Sequence, residues 1–213
     1  MKKAIVISFC GIGCGMMIAH AAITRLPFNA AALPKGIVCT GRVVDGARWT
    51  DSTGENIVVL CQTGAFKSPK GDSEDSRDAE LSAHQYVRSA PAWRRVWSIR
   101  DFERNCPLDL TATFIPGALT VTDLDGNGIA EVTVLYKHAC RGDVSPAGMK
   151  LIMREGAKKY AIRGIMRISP EIDPSGRGEM NLDPTFAKAP RSFRDFAIQH
   201  WKKHEIEKSF EQP

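Results

Sequence analysis

The chain has 213 residues, is 43% hydrophobic and carries a formal charge of +5, which gives it room for one well-buried core and excludes intrinsic disorder. A charge this mild, without a long basic tract, also argues against nucleic acid as a partner.

The first residues differ from the rest. Lys2 and Lys3 precede an apolar run over 4–19, and Ala19 and Ala21 frame a cleavage site, which is the pattern of a secretory signal peptide over residues 1–21. The run is glycine-broken and shorter than the roughly 20 apolar residues of a membrane span, so no transmembrane segment is expected after cleavage. Cys14 follows small residues, but Gly11 stands where a lipidated cysteine takes a bulky aliphatic residue. The expected location is therefore outside the cytoplasm, periplasmic or extracellular. Cleavage removes two lysines and no acid, taking the charge from +5 to +3, and removes Cys10 and Cys14. Cys39, Cys61, Cys106 and Cys140 remain, an even set that reads as disulfides in an exported chain. None of them sits in a CxxC or a Cys/His cluster with zinc spacing.

A Leu/Pro-rich lead over 22–35 opens a β-rich domain over 36–190. Two β-branched runs flank the tetrapeptide DSTG at 51–54, predicting a β-hairpin with Cys39 and Cys61 on its arms. Bridging those two needs a slip or bulge in the register. The polar stretch 65–78 predicts a surface loop. Alternation resumes in ELSAHQYV, with Leu81, Ala83, Gln85 and Val87 on one face, and in RRVWSIRDF, with Val96, Ser98 and Arg100 opposing Trp97, Ile99 and Asp101. Short runs continue to about residue 168, followed by a Pro/Gly-rich loop over 169–190. The period then changes: Phe193, Phe196, Ala197, His200, Trp201 and His204 predict an amphipathic helix over 191–208, with Ser192 and Asp195 as a capping-box-like start. The expected fold is mainly β, an antiparallel meander closing as a sandwich, barrel or propeller-like sheet, with one C-terminal helix packed on it. A single DxDxNG motif without a repeat of about 40 to 50 residues weighs against the propeller.

That motif is the most informative stretch. Calcium takes about six to eight oxygens, so a short loop must present alternate carboxylates while bending around the ion. Asp123, Asp125 and Asn127 stand at positions one, three and five, Gly128 at the turn, the Ile129 carbonyl at seven and Glu131 at nine. Val134 replaces the bidentate glutamate of an EF-hand, and the flanks are β-like. The loop over 123–131 resembles the strand-flanked calcium loop of FG-GAP and related extracellular modules, which implies a structural Ca2+ held by Asp123, Asp125, Asn127, Ile129 and Glu131. The competing reading is an Asn-Gly hairpin turn whose aspartates accept backbone hydrogen bonds.

From about residue 93 to 164, the strings NCPLDL, TDLDGNGIAEVTVLYKHACRGDVSP, MKLIM and KKYAIRG resemble a family of secreted bacterial proteins labelled surface polysaccharide biosynthesis. The resemblance implies a disulfide between Cys106 and Cys140. A simple register about the Asn-Gly turn does not bring them together, so such a bridge joins non-neighbouring strands.

Other constellations point less far. The RGD tripeptide at 141–143 reads as a turn, and His200 with His204 as a packed pair, since no glutamate follows His200 as a metalloprotease needs. Neither GxSxG nor GxxxxGK[ST] occurs. Asp101, Glu103, Asp109 and Asp143 offer carboxylates for a glycosidase-like pair, and Trp49, Trp93 and Trp97 offer rings for sugar stacking. No catalytic residue is assigned. The sequence points to a non-enzymatic envelope or secreted β-domain with a structural calcium site, binding or supporting surface polysaccharide or another envelope component. The alternative is an enzyme acting on cell-surface polysaccharide through acids near the loop.

Overall fold

The computed structural model describes residues 23–174 and 176–207. The expected signal peptide, with Cys10 and Cys14, lies outside the described residues. Sheet one is a five-stranded antiparallel meander in the order β1 (Thr24–Leu26), β2 (Arg42–Asp51), β3 (Gly54–Lys67), β4 (Arg77–Ser89) and β5 (Ala92–Cys106). Sheet two runs β12 (Glu179–Leu182), β10 (Lys158–Ile165), β9 (Gly148–Glu155), β8 (Glu131–Arg141) and β6 (Asp109–Phe114), with β7 (Thr120–Thr122) also pairing β8. A third, parallel pair joins β11 (Arg167–Ile168) to β13 (Ile206–Glu207). Helix α1 spans Arg191–His204. Among the described residues no helix is long and apolar enough to cross a membrane.

The sheets stack as a sandwich. Trp49, Leu60, Leu81 and Trp97 from sheet one meet Phe114, Val132, Val134 and Tyr136 from sheet two. The opposite face of sheet two gives Met149, Leu151, Met153 and Ile162 to Phe193 and Trp201 of α1. The opposite face of sheet one packs Ile57, Val59 and Tyr86 against Phe28 and Leu33 of the lead and Ile37 just beyond it. Because both faces of the central strands are covered, those strands lose their alternation: the first six residues of β8, EVTVLY, are all buried. The same cause corrects the one-faced reading of ELSAHQYV, since His84 and Tyr86 are as buried as Leu81 and Ala83. β5 keeps its alternation, with Trp97 and Ile99 inward and Ser98 and Arg100 exposed.

The predicted hairpin forms with Asp51 opposite Gly54. Its register shifts between Val43 and Asp45, and beyond that bulge Cys39 reaches Cys61 with Cα atoms 5.8 Å apart. Gly41 allows this return: a Cβ there would lie 2.2 Å from the Gln62 carbonyl oxygen. The second bridge, Cys106 to Cys140 with Cα atoms 5.6 Å apart, links β5 of sheet one to β8 of sheet two.

Several boundaries differ from expectation. The lead contributes β1, which pairs with β2. The loop expected over 65–78 is shorter at both ends, because β3 continues to Lys67 and β4 starts at Arg77. Residues 169–190 are not all loop: β12 extends sheet two, and Pro184–Lys188 forms a 3-10 turn capped by the Asp183 carboxylate. The capping box is absent. Pro190 is the N-cap, Ser192 falls inside the helix, and Asp195 pairs with Arg191 at 3.3 Å. The helix also stops at His204, where the chain turns into β13.

Candidate metal centre

β7 and β8 form a hairpin in which Thr122 faces Glu131, and residues 123–130 make the loop between them. The loop is longer than a tight Asn-Gly turn. Two glycines at positive φ bend it, Gly126 at 72° and Gly128 at 77°. This bending turns the carboxylates inward: Asp123, Asp125 and Glu131 can each offer one oxygen so that all three lie within 4.8 Å of one another.

The hydrogen bonds show which oxygens remain free. Asp123 Oδ2 accepts the Gly128 N–H at 3.1 Å, and Asp125 Oδ1 accepts the Asn127 N–H at 3.2 Å. Glu131 Oε2 accepts the Leu124 N–H at 2.9 Å and the Thr122 hydroxyl at 3.0 Å. Asp123 Oδ1 and Glu131 Oε1 are buried and have no hydrogen-bond partner among the described residues. Burial pushes the Glu131 carboxyl up to about 7, and the charges of Asp125 and Asp123 push the same way.

Asn127 and Ile129 take part in hydrogen bonds within the loop. The Asn127 side-chain oxygen accepts the Ile129 N–H at 2.7 Å, while its amide nitrogen donates to Asp125 and, at 2.5 Å, to Glu155. One lone pair of that oxygen is left for a ligand. Two participants escaped the sequence reading. Glu155 stands directly opposite Glu131 across β8 and β9, with Lys158 at 2.7 Å as its counter-ion. Asp51, in the β2/β3 turn, accepts the Ala130 N–H at 3.1 Å and the Trp49 indole N–H at 2.9 Å. The Ser52 N–H adds a 2.8 Å bond to the Gly128 carbonyl, so sheet one is fastened to this loop at two points. Their only sequence signal was an acid at the end of an apolar run and another beginning a turn.

Most of the other candidates are occupied or buried. Burial works to raise the Asp101 carboxyl, but Lys150 at 2.5 Å and the Tyr136 hydroxyl at 2.9 Å hold it below its ordinary value. Glu103 lies 2.5 Å from His138. Asp143 is held low by the Ser145 hydroxyl and N–H, and Asp109 lies exposed at the start of β6. Trp49 and Trp97 are core residues, and Trp93 packs beside the lead. Arg141 of the RGD tripeptide is folded onto Glu207, with bonds of 2.8 and 3.0 Å, and also donates to the Ser145 carbonyl. His200 is buried under the Ala118 carbonyl at 2.8 Å and stacks on Phe196.

Comparison with known proteins gives no match to a family model, a curated protein or a solved structure. The site therefore stands on its own chemistry. Three carboxylates, with two unpartnered buried oxygens between them, can hold a metal ion.

Proposed function

We propose that the chain is an exported envelope or secreted β-sandwich without enzymatic activity, in which a calcium ion bound by the 123–131 loop fastens the two sheets together. The observation that carries this reading is the pair of buried oxygens, Asp123 Oδ1 and Glu131 Oε1, left without a hydrogen-bond partner. A buried carboxylate in that state is costly unless a cation or a proton completes it. The donors are all oxygen, which suits a hard cation, and calcium is the hard cation that accepts irregular, flexible coordination. The disulfides and the leader pattern support export. A carboxyl near neutrality also suits a general acid, but Glu131 is 0% exposed, and substrate needs an approach that this position lacks.

Calorimetric unfolding of residues 22–213, with calcium in excess and then with chelator, tests the reading. A ligand bound only to the folded state at 100 times its dissociation constant adds about 2.7 kcal/mol, several degrees in melting temperature. The expected result is a calcium-dependent rise that Asp125→Ala abolishes. An identical melt in calcium and chelator overturns the ion site.

A further inference from the structure

Sheet one does not cover all of sheet two. Its outer strand, β5, packs on β6 and β8, whereas the same side of β9 and β10 carries long cationic side chains. Register puts Arg154 directly opposite Lys159, and Lys150 directly opposite Arg163. These rows continue into Val132 and Tyr136 of β8, which are core residues, so all four cations sit on the side facing sheet one. Between the rows lie Ile152 and Ala161, both buried.

Like charges directly opposed across a ladder repel, and among the described residues only two of the four have a carboxylate ion-pair partner, with exposed Glu179 of β12 the further acid on this side. Asp101 lies 2.5 Å from Lys150, and Asp183 lies 3.2 Å from Arg163, whose side chain remains 48% exposed. Arg154 donates to the Ala157 carbonyl at 3.0 Å, but its Nε is buried without a partner, and its guanidinium stands 5.7 Å from the Trp97 ring. Lys159 is exposed and has no carboxylate partner among the described residues. Burial, then Arg163 and Arg154, push its ammonium below the ordinary value against the weaker opposing pull of Asp183 and Asp101. This sheet face carries two repelling pairs and uncompensated positive charge.

We propose that this face of β9 and β10 binds a linear anionic polysaccharide, with Arg154, Lys159 and Arg163 contacting its carboxylate or sulfate groups. The two cationic rows are four residues apart along the strand, about 13 Å, which suits charges repeated along an extended polymer better than one small anion. None of the exposed large apolar side chains among the described residues belongs to β9, β10 or β12. The face therefore offers a bilayer nothing to take up, and a nucleobase no exposed ring to stack on. The disulfides favour an oxidising compartment, where polyanions are chiefly glycans. For that choice of polymer the inference rests on the export reading; it does not depend on the ion site.

The test is titration of residues 22–213 with polygalacturonate and with dextran sulfate at low salt, alongside double-stranded DNA and phosphatidylglycerol vesicles. Binding to at least one glycan is expected, weakening as salt rises. Lys159→Gln combined with Arg163→Gln is expected to weaken it by about tenfold or more. Arg191→Gln with Lys202→Gln, two exposed cations of α1, removes the same charge elsewhere and should leave binding unchanged. Lys159→Gln alone should melt no lower than wild type while binding more weakly, because it removes a repelling neighbour. Absence of glycan binding, equal losses in the two double variants, or tighter binding to DNA or vesicles at matched charge each overturns the proposal.

Discussion

Two buried glutamates sit near opposite ends of β8 and solve the same problem in different ways. Glu207, 1% exposed, receives Lys137 at 2.8 Å, a two-point contact from Arg141 and the Ala147 N–H at 3.1 Å. Burial works to raise its carboxyl, but those donors hold it below the ordinary value. Glu131, 0% exposed, receives one N–H and one hydroxyl, faces Glu155 and two aspartates, and is pushed up to about 7. Burial alone therefore does not fix the charge of a carboxylate; a cation within reach does. At Glu207 the chain supplies that cation itself. At Glu131 it supplies acids, and the proposed calcium ion fills the role.

The largest way to break this contrast is at Glu207. Glu207→Gln removes the carboxylate that Arg141 and Lys137 share, and removing one partner of a buried pair costs about 3–5 kcal/mol; denaturant unfolding should show that loss with or without calcium. Glu131→Gln should behave in the opposite manner. In chelator at pH 8 it should melt at or above wild type, because a neutral amide replaces a poorly solvated carboxylate, yet the calcium stabilisation of about 2.7 kcal/mol should vanish.

Linkage to pH separates the two sites by sign. The carboxyl of Glu131 is raised when folded, so without calcium its contribution is fully present below the unfolded value of 4.5 and is lost as pH rises through about 7. Calcium needs the ionised form, so its apparent affinity should climb by up to about tenfold per pH unit below that value and then level off. Glu207 is lowered when folded, so its contribution is present above the unfolded value and disappears as pH falls through the folded one. Thermal melts from pH 4 to 8, with and without chelator, read both trends. The smallest expected effect is at the cationic face, where Lys159→Gln should stabilise by about 0.2–1 kcal/mol through relief of a like-charge pair.

Where the residues that form a feature were adjacent in sequence, the feature was legible. The β2/β3 hairpin followed from its turn residues, β5 from its alternation, and the acid loop from its spacing. The composition of the central strands suggested sheet, but not that both faces of β8 would be covered, because α1 arrives from 50 or more residues away. Glu155 and Asp51 were hidden for a similar reason: they reach the loop from β9 and from the opposite sheet. Cys106 and Cys140 lie in different sheets, so no hairpin register could pair them. β12 was missed because four residues with two partly buried apolar side chains, Met180 and Leu182, give too short a run to stand out from a Pro/Gly-rich stretch.

The contact between β13 and the end of β8 bears on when this protein becomes itself. Arg141 and Lys137 are seated by a residue 66 to 70 positions later in the chain. Until residue 207 is available, Arg141 and Lys137 lack their shared contact with Glu207, and β11 lacks the strand it pairs with. A nascent chain whose last residues are still held on the ribosome thus lacks its final clasp. Closing of that contact waits for the far end of the chain to emerge.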